Sequence, residues 1–134
     1  MRAPLPRSTI LPEKRLYQRL GGYDVIAAVV IDLFTHMAEH PRLARFGAGR
    51  SLDSRSRGRQ LTIDQLCALT GGPCVYIGRD MKTAHAGLGI TEEDWKSMME
   101  LTTASLDKNG VPQKEKEELL AIFASFKDDI VEVD

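Results

Sequence analysis

Asp24-Val25-Ile26-Ala27-Ala28-Val29-Val30-Ile31-Asp32-Leu33-Phe34-Thr35-His36-Met37 is the stretch whose reading decides the fold. Val29-Val30-Ile31 is a β-branched run and, read alone, suits a strand, where branched side chains pack well on a pleated surface. The wider stretch does not alternate. Val25, Ile26, Val29, Val30, Leu33, Phe34 and Met37 recur three and four residues apart and form a wide apolar stripe. Length and period therefore predict a helix over 25–39, capped by Asp24.

The same period runs through most of the chain. Leu16 and Leu20 predict a short helix over 13–20, broken by Gly21-Gly22. Leu61, Ile63, Leu66, Cys67 and Leu69 predict another from Arg59 to Thr70, stopped by Gly71-Gly72-Pro73. A short one follows around 79–87. Thr91, with Asp94 three residues later, forms a capping box, and the helix behind it carries Trp95, Met98, Met99, Thr102 and Leu106 on one face as far as Gly110. Pro112 opens a last helix at its first position, with Leu119, Ile122, Phe123, Phe126 and Ile130 on its buried side. Residues 47–60, with Gly47, Gly49, Gly58 and four arginines from Arg50 to Arg59, are the least regular segment. No alternating strand and no internal repeat stands out. The fold class is all-α, about six helices split by glycine pairs.

Length and charge bound the function. The 134 residues suit one domain, 13–134, behind an extension over 1–12 that Pro4, Pro6 and Pro12 interrupt and that reads as flexible. That extension lacks the continuous apolar region of a secretory signal. Lys plus Arg number 18 against 19 Asp plus Glu, a net charge of −1 that argues against a dedicated nucleic-acid binder. No apolar run is long enough to span a membrane. Cys67 and Cys74 stand seven apart, neither a redox C-x-x-C nor a zinc-ligand spacing. They could form one disulfide, but a chain this long does not need it, so they read as reduced thiols, and the location as cytoplasmic.

Three candidate sites are weak. Gly71 to Gly78 lacks the glycine spacing and the Lys-Ser/Thr of a phosphate loop. His36 and His40 sit four apart, a spacing that can hold a metal, but no third ligand is near and both read as surface residues. Arg45, Arg50, Arg55, Arg57 and Arg59 oppose only Asp53 and could draw an anionic or protein partner, although no aromatic interleaves them for base stacking.

His85 differs. Met81, His85 and Leu88 fall on one face at i, i+4 and i+7, which turns the imidazole inward among apolar neighbours. A lone inward histidine is usually a satisfied core residue, and metal ligation normally needs partners. Haem removes that objection, because it supplies four nitrogen ligands and asks the protein for one axial imidazole in an apolar pocket.

The chain resembles a group I truncated haemoglobin, the shortened two-over-two helical globin, over about Arg15 to Val131. The resemblance rests on Leu16-Tyr17-x-x-Leu20-Gly21-Gly22, Asp32-Leu33-Phe34, Pro41-Arg42-Leu43-Ala44-Arg45-Phe46, Thr70-Gly71-Gly72-Pro73, Tyr76-x-Gly78, Met81-Lys82-x-x-His85-x-Gly87-x-Gly89-Ile90 and Leu106-x-x-x-Gly110-Val111-Pro112. Each piece is weak alone; their order and spacing are specific. The resemblance implies that His85 ligates the iron of haem b (iron protoporphyrin IX) on the proximal side. It puts Phe46 against the haem plane, Lys82 and Arg79 near its carboxylates, and Tyr76, Met81, Trp95, Met98 and Ile122 in the lining. On the distal side it places Phe34 where such globins commonly carry a Tyr, and Leu61, Thr62 and Leu66 on the facing helix, with Gly58 a turn earlier. Thr62 carries the one hydroxyl of 58, 61 and 62, so it is the expected hydrogen-bond donor to a bound gas, and Gln60 and Gln65 are expected to point elsewhere. With no His at 58 or 61, that helix supplies no sixth ligand.

The implied function is reversible binding of dioxygen, carbon monoxide and nitric oxide at a His-ligated haem iron, for dioxygen storage and delivery or for conversion of nitric oxide to nitrate with a reductase. A monomer or weak dimer is expected. The alternative is a cofactor-free helical module that binds an anionic or protein partner through the basic 45–59 segment.

Overall fold

A computed structural model describes residues 14–133. The expected extension over 1–12 lies outside the described residues. Seven α-helices and one 3-10 turn are present among them: α1 (Leu16–Leu20), α2 (Tyr23–Glu39), the turn Ala44–Phe46, α3 (Leu52–Leu69), α4 (Met81–His85), α5 (Glu92–Lys108), α6 (Gln113–Ala124) and α7 (Lys127–Ile130). Helix α2 packs on both α3 and α5, and α5 packs on α6, so two helical pairs lie against each other. Short α1 leans on α6 and α2, and α4 leans on α7. The core sits where the pairs meet: Leu16, Leu20, Ile26, Val29, Val30, Ile63, Leu66, Leu106, Val111 and Leu119 are buried in one cluster. Burying such side chains stabilises a fold by about 1.5–3 kcal/mol each.

The β-branched run resolves as helix, with Val29 and Val30 buried and Ile31 exposed, as period 3.6 requires. Several boundaries differ from expectation. Helix α2 starts at Tyr23 with Gly22 at its N-cap, so Asp24 sits in the first turn instead of capping it, where its charge faces the positive end of the helix dipole. Helix α3 starts at Leu52, well before Arg59, because the Ser51 hydroxyl accepts the Ser54 amide at 3.0 Å and caps it. Most of the segment expected to be irregular is therefore helical, and its arginines ride on the exposed first half of α3. Pro112 stands at the N-cap of α6. The last helix is two, parted at Ser125 and Phe126. The Thr91–Asp94 capping box is present.

Two glycines show why the pairs matter. Gly21 has φ 111° and closes α1, and a Cβ there would meet Val25 at 2.5 Å. Gly72 lets the chain pass Tyr17, whose ring a Cβ would meet at 2.5 Å. Close packing there lets the Tyr17 amide donate to the Thr70 carbonyl at 2.8 Å, joining α1 to the end of α3. Arg19 then ties α1 to α6 through Glu115 at 2.8 Å and Glu118 at 2.6 Å.

The reading of Cys67 and Cys74 as reduced thiols is overturned. They form a disulfide with Cα atoms 5.7 Å apart, across the turn that Gly71-Gly72-Pro73 makes. Spacing excluded two motifs but said nothing about a turn that folds the chain back on the end of α3. The bond fastens α3 to the segment leading into α4.

Candidate functional site

The segment from Tyr76 to Ile90 delivers His85. The Tyr76 hydroxyl donates to the Arg79 carbonyl, shaping the turn before α4. Gly78 leaves room for that ring, since a Cβ there would clash with Tyr76. Burial holds the Tyr76 phenol above its ordinary pKa, so it stays a neutral donor. Asp80 caps α4 by accepting the Thr83 amide at 3.2 Å, and the Thr83 hydroxyl together with that amide lowers its carboxyl pKa.

His85 closes α4, half-buried, with Nδ1 2.9 Å from the Met81 carbonyl oxygen. A carbonyl can only accept, so Nδ1 carries the proton and donates. In the neutral ring Nε2 then keeps its lone pair, and it has no hydrogen-bond partner among the described residues. A proton fixed on one ring nitrogen by a backbone carbonyl is the arrangement that orients an imidazole for metal ligation at the other. Among the described residues no group of three or more His, Cys, Asp or Glu could hold a metal ion. The donor set is one imidazole, which fits a metal arriving with its own equatorial ligands and does not fit a bare ion. Val75 and Ile77, in the segment before α4, are 74% and 71% exposed, apolar surface that calls for a cover. Sequence reading missed both, because no period marks a loop.

Past His85 the chain is held from a distance. The Glu132 carboxylate accepts the Gly87 amide at 2.9 Å and the Gly89 amide at 2.8 Å. These two amides hold that carboxyl below the usual glutamate range. Glu132 and Val133 also donate their own amides to the Ile90 carbonyl at 2.8 and 3.1 Å.

The other expected residues divide as follows. Lys82 and Arg79 are exposed and make no ion pair among the described residues. Met81 is half-buried beside His85. Phe46 is half-buried on the 3-10 turn under the Arg45 guanidinium, 4.1 Å above its ring centre. Arg45 anchors that turn by donating to both Asp94 oxygens at 3.0 and 2.6 Å. That pairing, with the Thr91 amide, depresses the buried Asp94 carboxyl to about 2. Phe34 and Ile122 pack against the core. Leu66 is buried among Leu20, Val29 and Leu106, a core position. Trp95 is buried and borders a hollow of about 530 Å³ with Lys96, Met99 and Lys127, a hollow that includes neither His85 nor Met81. Met98 accepts from the Thr102 hydroxyl. His36 is exposed, as expected, and half-buried His40 accepts from the Arg42 amide.

On α3 the arrangement departs from expectation. Leu61 and Thr62 are half-buried, but the Thr62 hydroxyl donates to the Gly58 carbonyl at 3.0 Å, so its proton is committed within its own helix. The unbroken helix also puts Gln65 on the face of Gly58, Leu61 and Thr62, at i+7, i+4 and i+3. Half-buried Gln65 makes no hydrogen bond among the described residues. Gln60 does turn away, donating to the Tyr23 hydroxyl and to Asp64.

Two layers of paired helices presenting a single oriented imidazole define a globin of the shortened, two-over-two kind. The chain belongs to the bacterial-like globin family, whose model matches residues 15–132. It is 29% identical over 115 residues to a group 1 truncated hemoglobin of Mycolicibacterium paratuberculosis, covering 86% of this chain and 82% of that one. The crystal structure of a truncated hemoglobin from Tetrahymena pyriformis, in its Fe(III) form, superposes with a TM-score of 0.81 at 23% identity, covering 88% of this chain and 98% of that one. The 2/2 hemoglobin from Synechococcus, solved in the cyanomet state with covalently attached heme, superposes at 0.78 with 22% identity and the same 88% and 98% coverage. Family membership carries haem binding, and with it the general capacity to bind small gases. No helix among the described residues is long and apolar enough to cross a membrane.

Proposed function

We propose that this chain binds haem b with His85 as the proximal iron ligand and reversibly takes up dioxygen, carbon monoxide and nitric oxide. The observation that carries the reading is the Nδ1 hydrogen bond from His85 to Met81, which orients the ring and leaves Nε2 as the nitrogen open to a metal. When bound, the haem iron supplies the gas-binding site and the redox chemistry that can turn nitric oxide into nitrate. The protein's part is to hold the axial imidazole, to cover the macrocycle and to set the polarity around the gas.

Lys82 and Arg79, exposed and without an ion pair among the described residues, are the cations assigned to the haem carboxylates. Phe46, steadied by Arg45, with Met81, Tyr76 and Phe34 forms the apolar cover. On the gas side the donor assignment moves from Thr62 to Gln65, whose amide N–H groups have no other partner among the described residues. One neutral donor holds a bound gas weakly, which supports delivery or turnover over tight storage. Continuous conversion of nitric oxide would also need a reductase, and Arg55, Arg57 and Arg59 on the first half of α3, which make no ion pair among the described residues, suit an acidic one. A monomer or weak dimer is the proposed state. A cytoplasmic location rested on reduced cysteines; disulfides persist in oxidising compartments, so that location now requires the pair to be a dithiol in the cell.

The test is titration of the purified protein with haemin. A Soret band saturating at one haemin per chain is the expected outcome. A protein that stays colourless with added haemin overturns the proposal and favours the cofactor-free module.

A further inference from the structure

Helix α4 has five residues and breaks at Ala86 directly after His85. Within it the Met81 carbonyl holds the His85 ring, but a helix this short is not stable by itself, so the placement of the helix must come from outside it. Asp80 and Tyr76 fix its entry; on the exit side the contacts come from forty-five residues away. Glu132 accepts Gly87 with one carboxylate oxygen and Gly89 with the other. Both glycines have positive φ, 84° and 67°, and a Cβ built at either would meet nothing within 4 Å outside its chain neighbours. Glu132 is itself placed by backbone pairing: its amide donates to Ile90, and the Glu92 amide donates to Val133. Helix α7, which ends just before it, packs on α4. A carboxylate receiving two backbone amides forms charge-assisted bonds, about twice as strong as neutral ones.

We propose that Glu132 is a positioning residue for the proximal histidine: by clamping the Gly87 and Gly89 amides it fixes the loop that ends α4 and so holds the His85 imidazole in its ligating orientation. The inference rests on the assignment of His85 as the iron ligand. Outer-shell partners of metal-binding histidines matter by roughly 10–100-fold in affinity when lost, and Glu132 fills that part through backbone amides instead of the ring.

The test compares wild-type protein, Glu132→Ala and Glu132→Gln, each loaded with haemin. Two readings are taken: the rate of haemin loss to a scavenging apoglobin, and the iron–histidine stretching band of the reduced form. Glu132→Ala should lose haemin about tenfold faster, the lower end for an outer-shell partner, and its stretching band should shift and broaden. Glu132→Gln, which can accept only one of the two amides, should fall between. Thermal unfolding of the apoproteins controls for a merely structural role, because that role would lower the midpoint and leave the band in place. A band unmoved in Glu132→Ala, with haemin loss within about twofold of wild type, overturns the inference while leaving His85 as ligand. A wild-type protein with no such band overturns both. Faster amide exchange at Gly87 and Gly89 in Glu132→Ala apoprotein reads the clamp without haem, and unchanged exchange there also refutes it.

Discussion

The segment around His85 and the α3 face of Leu61, Thr62 and Gln65 differ in how their polar groups are held. On the His85 side a chain of contacts to the backbone, from Tyr76 and Asp80 through Met81 to Glu132, fixes the segment and leaves one nitrogen of the imidazole open. On the α3 side Thr62 is spent on Gly58, Gln65 has no partner among the described residues, and Leu61 is apolar. The first side is preorganised for a bond and the second is nearly uncommitted. Ligation should therefore tolerate little change, and gas affinity should respond in small steps.

The largest effect tests the preorganised side. His85→Gly should weaken haemin retention by more than about a hundredfold, beyond the loss seen when only an outer-shell partner is removed. Added imidazole should restore the spectrum, because the cavity then accepts a free ring.

Next comes the joint between the two sides. Replacing Cys67 and Cys74 together by Ser should destabilise the protein by about 2.5 kcal/mol, from the unfolded-chain entropy of so short a loop. Chemical denaturation measures it, and free-thiol titration of freshly purified protein tells whether the bond forms in its native compartment.

Asp94 offers a pH test of the anchor beneath Phe46. Its carboxyl lies near 2 in the folded protein against an ordinary 3.8, mainly because Arg45 donates to it. The lowered value means the contribution is fully present above about pH 4 and is lost as the pH falls towards 2. Asp94→Asn should flatten the acid limb of the stability curve in that window. An unaltered limb would show that Arg45 does not depend on the charge.

The smallest effects belong to α3. Gln65→Leu should speed dioxygen release by roughly tenfold, the worth of one hydrogen bond, while Thr62→Val should change it less than about twofold, since that hydroxyl already serves its helix. The reverse order would return the donor role to Thr62. Stopped-flow dissociation separates the two.

Much of this was legible in the sequence where periodicity reports burial. The α2 stripe and the Thr91–Asp94 box could be read because each involves neighbours within one or two turns; the face of Met81, His85 and Leu88 could not be carried that far, because α4 ends at His85 and leaves Leu88, beyond it, 47% exposed. The early start of α3 could not, since its first half faces solvent, with Leu52 79% exposed, and leaves no apolar stripe to count. Ser51 was the available signal, a capping serine before an acidic first turn. The disulfide needed the Gly71-Gly72-Pro73 turn in three dimensions. Glu132 was out of reach, because its partners lie more than forty residues away and nothing in Val131-Glu132-Val133 marks a clamp.

The central claim is that one protein nitrogen, Nε2 of His85, holds the haem iron. The most direct test is the absorption spectrum of the reduced, haem-loaded protein beside His85→Gly, without and with imidazole. The account predicts a Soret band in the wild type that is displaced in the variant and recovered with imidazole. An identical band in His85→Gly without imidazole would contradict it.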